Sequence, residues 1–130
     1  DAACKKLEIK DALAVMISVD KLDKIGRTGV EKELKAKKLT KAQITGLFDL
    51  LLVEGTNNGK LAFLEVELGP DAVKDLKELF SYVQVEVEFS PSLARGLAYY
   101  TGTVFEAFAA EAAVKGSLCG GGRYDVYRFR

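Results

Sequence analysis

Two short stretches of the chain carry residue types suited to binding chemistry. The first is Arg95-Gly96-Leu97-Ala98-Tyr99-Tyr100-Thr101-Gly102, and the second is Gly120-Gly121-Gly122-Arg123-Tyr124-Asp125. A guanidinium such as that of Arg95 is permanently charged and can fork onto a carboxylate or phosphate through paired hydrogen bonds. The plainer reading of Arg95 is a surface salt bridge with one of the many acids. Tyr99 and Tyr100 point to opposite faces if they lie in a strand, so one packs inward and the other offers its hydroxyl to a site. Three consecutive glycines lose more backbone entropy on folding than any other triplet. That loss is tolerated where main chain must approach a ligand or another strand closely. A plain glycine turn between strands is the alternative, and the triplet is not the G-x-G-x-x-G fingerprint.

Other chemistries are closed to this chain. Among its 130 residues there is no histidine, which removes a Ser-His-Asp triad, a Cys-His dyad and any histidine-ligated metal site within it. No metal site is assigned. The two cysteines, Cys4 and Cys119, form no Cys-x-x-Cys pair, so structural zinc and thioredoxin-like redox chemistry have no support. Free thiols in a reducing compartment are the expectation, with a Cys4–Cys119 bridge the lesser alternative. The first residues show no basic-then-apolar signal pattern, and no apolar run approaches the roughly 18 residues of a membrane span. Membrane association is not expected.

The net charge of zero, nineteen basic residues against nineteen acidic, conceals an asymmetry. From Lys21 to Lys41 eight basic residues face three acids, a net of +5, whereas Asp49 to Glu111 carries a net of −7. The basic stretch reads either as a solvated helix face or as a phosphate-contacting patch, with Lys35, Lys37 and Lys38 at its centre. No aromatic residue is interleaved with these lysines, so base stacking is not suggested.

Several elements must position the two stretches. Val15, Met16, Val19, Leu22 and Ile25 stand at helical spacing over residues 11–25, with a strand at Val15–Val19 the lesser alternative. Arg27-Thr28-Gly29 breaks the pattern, and Thr28 with Glu31 spells a capping box. Thr40 with Gln43 repeats the device ahead of a stripe of Ile44, Leu47, Phe48 and Leu51. Gly55-Thr56-Asn57-Asn58-Gly59 reads as a loop, and Leu61–Leu68 fits either helix or strand. Pro70 suits a helix start, and Val73, Leu76, Leu79, Phe80 and Val83 form the next stripe. Val85-Glu86-Val87-Glu88-Phe89 alternates as a half-buried strand does. Thr103–Phe108 and the segment from Lys115 into the glycines are two further strand candidates. The expected fold is α+β: a helical module over 1–83 and a small antiparallel β segment over 84–130.

The same residues carry a resemblance. Leu93-Ala94-Arg95-Gly96-Leu97-Ala98-Tyr99-Tyr100-Thr101-Gly102-Thr103-Val104-Phe105-Glu106 resembles the first histidine-specific motif of histidyl-tRNA synthetases, and Cys119-Gly120-Gly121-Gly122-Arg123-Tyr124-Asp125 resembles the second. Ser18-Val19-Asp20-Lys21-Leu22-Asp23-Lys24-Ile25-Gly26 is similar to the segment that follows the second class II motif. The likeness runs from about residue 12 to residue 125 and takes in the family's helical insertion.

The resemblance implies a partial class II synthetase-like sheet and a role for each matching residue. Arg95 corresponds to the arginine that touches the histidine carboxylate and the α-phosphate during adenylation, where it would stabilise developing charge. Tyr100 and Tyr124 correspond to the tyrosines lining the pocket for the substrate's imidazole and amino group. Gly120, Gly121 and Gly122 would let the backbone pass close to that substrate. Glu106 and Arg123 receive no catalytic role. The family is cytoplasmic and homodimeric, uses ATP and magnesium, and joins histidine to its tRNA. The basic stretch would face the tRNA acceptor arm. Three departures qualify this. Position 98 is Ala where the family has Asp; Val126-Tyr127-Arg128-Phe129-Arg130 differs from the small and aliphatic residues usual after the second motif; and the three class II motifs and an anticodon-binding domain find no match. No cofactor is therefore expected for this chain by itself. The rivals are a non-catalytic paralogue that binds histidine as a sensor or regulatory subunit, and a helical interaction module without a ligand.

Overall fold

A computed structural model describes residues 1–94, 100–109 and 116–125. The described residues form α1 (Ala2–Lys6), α2 (Ala12–Val19), α3 (Leu22–Ala36), α4 (Lys41–Leu51), α5 (Asn57–Leu68), a 3₁₀ turn (Pro70–Ala72), α6 (Lys74–Tyr82), β1 (Val104–Phe108) and β2 (Ser117–Gly122). The architecture is α+β, with six helices and a two-stranded antiparallel sheet among the described residues.

The helix starts follow local chemistry. Thr40 caps α4 in a full capping box, its hydroxyl accepting from the Gln43 N–H while the Gln43 side chain accepts from the Thr40 N–H. The box expected at Thr28 does not form. Thr28 lies inside α3, and the Glu31 carboxylate instead takes the Arg27 guanidinium at 3.0 Å. The break falls at Gly26, whose φ of 66° and ψ of 173° are open essentially to glycine alone. The alternation at Val15–Val19 is helical, and so is the ambiguous stretch 61–68. The expected loop 55–59 is shorter than its composition suggests. Thr56 caps α5 by accepting from the Gly59 N–H, which draws Asn57, Asn58 and Gly59 into the helix.

Two apolar clusters hold the helices together. Val15, Val19, Val30, Leu34, Ile44, Leu47 and Phe48 join α2, α3 and α4, with Ala94 packed against them. Leu50, Leu61, Leu64 and Val73 join α4, α5 and the 3₁₀ turn, and Phe80 and Phe89 pack on that group. Phe48, 1 % exposed, lies under the Arg27 guanidinium at 4.8 Å from its ring centre, which closes the second half of α3 onto α4. Burial of such a ring stabilises by roughly 1.5–3 kcal/mol.

The sheet holds two of the three expected strands. β1 pairs antiparallel with β2 in the register Val104–Gly122, Phe105–Gly121 and Glu106–Gly120, with an irregularity between Ala107 and Phe108. The third, Val85–Phe89, pairs with no strand among the described residues. Its alternating pattern suits an extended chain, and side chains of α5 take its main-chain groups at Val87 and Phe89. This segment packs on the helices, since the Phe89 and Phe80 rings meet edge to face at 6.3 Å.

Candidate functional site

The glycine triplet is a strand. Gly121 and Gly122 face Phe105 and Val104 across the ladder, and the space a side chain would need is occupied. A Cβ on Gly121 would lie 2.7 Å from the Phe105 ring, and one on Gly122 would lie 2.5 Å from Cδ1 of Tyr100. The glycine-turn reading therefore fails. The glycines are where two aromatic side chains lie against the backbone of β2.

That close approach brings the two motifs together. The Tyr100 and Tyr124 rings are 5.2 Å apart at their centres and inclined at 41°. Tyr100 is half-buried and Tyr124 is 52 % exposed, so the pair opens to solvent on one side. Main-chain bonds extend the pairing beyond β1 and β2. The Thr101 N–H donates to the Arg123 carbonyl at 2.9 Å, and the Arg123 N–H donates to the Thr103 carbonyl at 3.0 Å.

Behind the tyrosines lies a polar latch. The Thr101 hydroxyl donates to Oδ2 of Asp125 at 2.8 Å and accepts from the Asp125 N–H at 2.9 Å. The Arg123 Nε–H donates to Oδ1 of the same carboxylate at 2.9 Å. The Thr101 hydroxyl, and after it the Arg123 guanidinium, hold the Asp125 carboxyl below its usual range. Asp125 in turn raises Arg123. Arg123 also reaches Asp75 of α6 at 3.6 Å, an exposed contact between hairpin and helical module.

Of the expected site residues, Tyr100, Tyr124, Gly121 and Gly122 come together, and Gly120 lies opposite Glu106 in the same ladder. Arg95 and Ala98 lie outside the described residues. Lys35, Lys37 and Lys38 lie far along the chain at the end of α3, and all three are exposed. Lys37 is partly committed, because its ammonium donates to the Ala14 carbonyl at 2.6 Å. Lys21 and Arg27 are paired with Glu33 and Glu31, whereas Lys35 and Lys38 show no ion pair among the described residues. Lys21 holds the Glu33 carboxyl below its ordinary value.

Thr101 and Asp125 did not emerge from the residue types alone. One signal was present: each directly follows a motif tyrosine. Both cysteines are free thiols, Cys4 buried and Cys119 exposed. Burial pushes the Cys4 thiol upward. Among the described residues no helix is long and apolar enough to cross a membrane.

Comparison with known proteins bears on this arrangement. The family model described as histidyl-tRNA synthetase matches residues 7–129. The histidine–tRNA ligase of Bacteroides fragilis (strain YCH46) is 40 % identical over 121 residues, covering 85 % of this chain and 26 % of that protein. The histidine–tRNA ligase of Cytophaga hutchinsonii is 37 % identical over 120 residues, covering 84 % and 26 %. That of Finegoldia magna is 37 % identical over 130 residues, covering 92 % and 30 %. The chain thus spans 26–30 % of the length of these relatives.

Proposed function

This chain belongs to the histidyl-tRNA synthetase family, and from that premise we propose that it supplies histidine recognition to a histidine–tRNA ligase. The observation that carries the reading is the contact of the Tyr100 and Tyr124 rings, with Tyr100 lying over Gly122, which brings together the two stretches that resemble the histidine-specific motifs. Two phenol rings offer stacking faces and hydroxyls to an imidazole and an amino group. Arg95 enters as the charge-stabilising group for the carboxylate and α-phosphate. ATP and magnesium serve the complete enzyme. The chain alone, without matches to the class II motifs, does not adenylate histidine. Its place is the cytoplasm. The sheet has two strands among the described residues, and the edges of so small a sheet favour pairing with a second subunit; the family's homodimer is adopted on that ground.

The helical module, 1–83, contributes the tRNA contact. Lys35 and Lys38 carry it, since they are exposed and show no ion pair among the described residues, with Lys37 contributing less because of its bond to Ala14.

The test uses a polypeptide that combines this chain with the class II motifs. Histidine-dependent ATP–pyrophosphate exchange is expected there and not with the chain alone. Lys35→Glu with Lys38→Glu should raise the KM for tRNA severalfold and leave the exchange reaction unchanged. Exchange by the isolated chain, or unaltered tRNA kinetics, would contradict the respective assignment. Ala98, at the family's Asp position, favours one rival: a paralogue that binds histidine without activating it. Histidine binding with no exchange in the combined polypeptide would select that rival.

A further inference from the structure

Lys60 is the only buried charged side chain among the described residues, at 7 % exposure. A buried ammonium is strongly unfavourable unless its protons find acceptors. Here they reach the Phe89 carbonyl at 2.9 Å and the Glu88 carboxylate at 3.1 Å. One turn earlier on α5, the Asn57 amide faces the same segment. Its Nδ2–H donates to the Val87 carbonyl at 2.7 Å, and its Oδ1 accepts from the Phe89 N–H at 2.8 Å. The side-chain amide thereby takes the place of a neighbouring strand, making the pair of bonds that a ladder partner would make. Residues three apart on a helix share a face, so Asn57 and Lys60 grip the extended segment together.

We propose that Asn57 and Lys60 are positioning residues for the tyrosine site. The inference rests on the histidine-recognition reading and adds to it a function for the helical module. The gripped segment leads straight into the first motif. Phe89 is fixed by the clamp and by Phe80, the Leu93 N–H closes a turn onto the Ser90 carbonyl, and Ala94 packs on the helical core. Among the described residues, the segment that enters the first motif is thus held to the helical module by the Asn57 and Lys60 bonds and by the packing of Phe89 and Ala94, with the Ser90–Leu93 turn between them. Glu88 is largely exposed and contributes little to the grip. The clamp acts chiefly on main chain, so it sets the path of the segment whatever its side chains are.

The experiment compares this chain with its Asn57→Ala, Lys60→Met and Lys60→Arg variants. Three readouts are taken by NMR: exchange of the Phe89 amide, the ring contact between Tyr100 and Tyr124, and the response of those rings to added L-histidine. Helix melting is followed in parallel. Asn57→Ala should speed Phe89 exchange about tenfold, weaken the Tyr100–Tyr124 contact, and lower apparent histidine affinity about fivefold or more. Thr56 still caps α5, so melting should move little. Lys60→Met should act in the same direction, and Lys60→Arg should restore most of the response. A ring contact and a histidine response that survive both disabling variants would overturn the proposal while leaving histidine recognition standing. Absence of any histidine response in the unaltered chain would instead overturn the recognition reading, and the ring contact alone would then decide the clamp.

Discussion

Thr101 and Asp125, which are 24 residues apart, hold each other through two hydrogen bonds, hydroxyl to carboxylate at 2.8 Å and main-chain N–H to hydroxyl at 2.9 Å. Each directly follows a tyrosine of its motif. The latch therefore fixes where Tyr100 and Tyr124 leave the main chain, and their rings meet at 5.2 Å. Without it, two strands with largely exposed faces would be only marginally stable as a pair.

The latch depends on charge. Asp125 is held below its ordinary value by Thr101 first and Arg123 second. A carboxyl whose folded value is depressed stabilises the folded state above its unfolded value, and that stabilisation is lost as pH falls through the folded value. The hairpin should thus hold at neutral pH and loosen only under acid conditions, below the usual carboxylate range. In a carboxyl-carbon NMR titration, Asp125 should titrate lower than an unstructured aspartate, and Thr101→Ala should move its midpoint upward. An unchanged midpoint would show that the hydroxyl is not the principal cause.

Gly122→Ala tests the close approach. Its Cβ would stand 2.5 Å from the Tyr100 ring and 3.0 Å from Val104, so the ring must move. Loss of the Tyr100–Tyr124 contact is expected, with histidine affinity reduced tenfold or more. Gly26→Ala, in α3, is a useful control. Gly26 has open space around it, though its φ of 66° costs some helical-module stability. The control should leave the tyrosine contact intact.

The cysteines should differ sharply in reactivity. The thiolate is the reacting species, and Cys4 is both buried and raised in pKa, whereas Cys119 is exposed on β2. Labelling with a disulfide reagent at neutral pH should modify one thiol per chain promptly, located by mass spectrometry at Cys119. Cys4 should follow only on unfolding. Equal labelling rates would contradict the packing of α1 against the helical core.

Much of the fold was legible where the signal is local. The capping box at Thr40 and the stripe of Ile44, Leu47 and Phe48 specify α4 within a dozen residues. The β-rich texture of 103–108 announces β1 in the same way. Errors arose where two local rules compete. Thr28 and Glu31 have the spacing of a cap, but Gly26 supplies the backbone break first, and Arg27 takes the glutamate. Val85–Phe89 alternates as a strand, yet strand pairing is a long-range event, and Asn57, some 30 residues away, makes the bonds. In the site, the sequence singles out the two stretches that hold Tyr100, Tyr124 and the glycines, which the structure brings together. The latch and the clamp were not legible, because each joins polar side chains to partners distant in sequence.

The central claim is that the paired tyrosines and the glycine strand beneath them receive histidine. The direct measurement is an NMR titration of this chain with L-histidine, with L-lysine as the control. Saturable shifts confined to Tyr100, Tyr124 and Gly120–Gly122, absent with lysine, are the predicted result. No shift at these residues up to saturating histidine, or an equal response to lysine, would contradict the account.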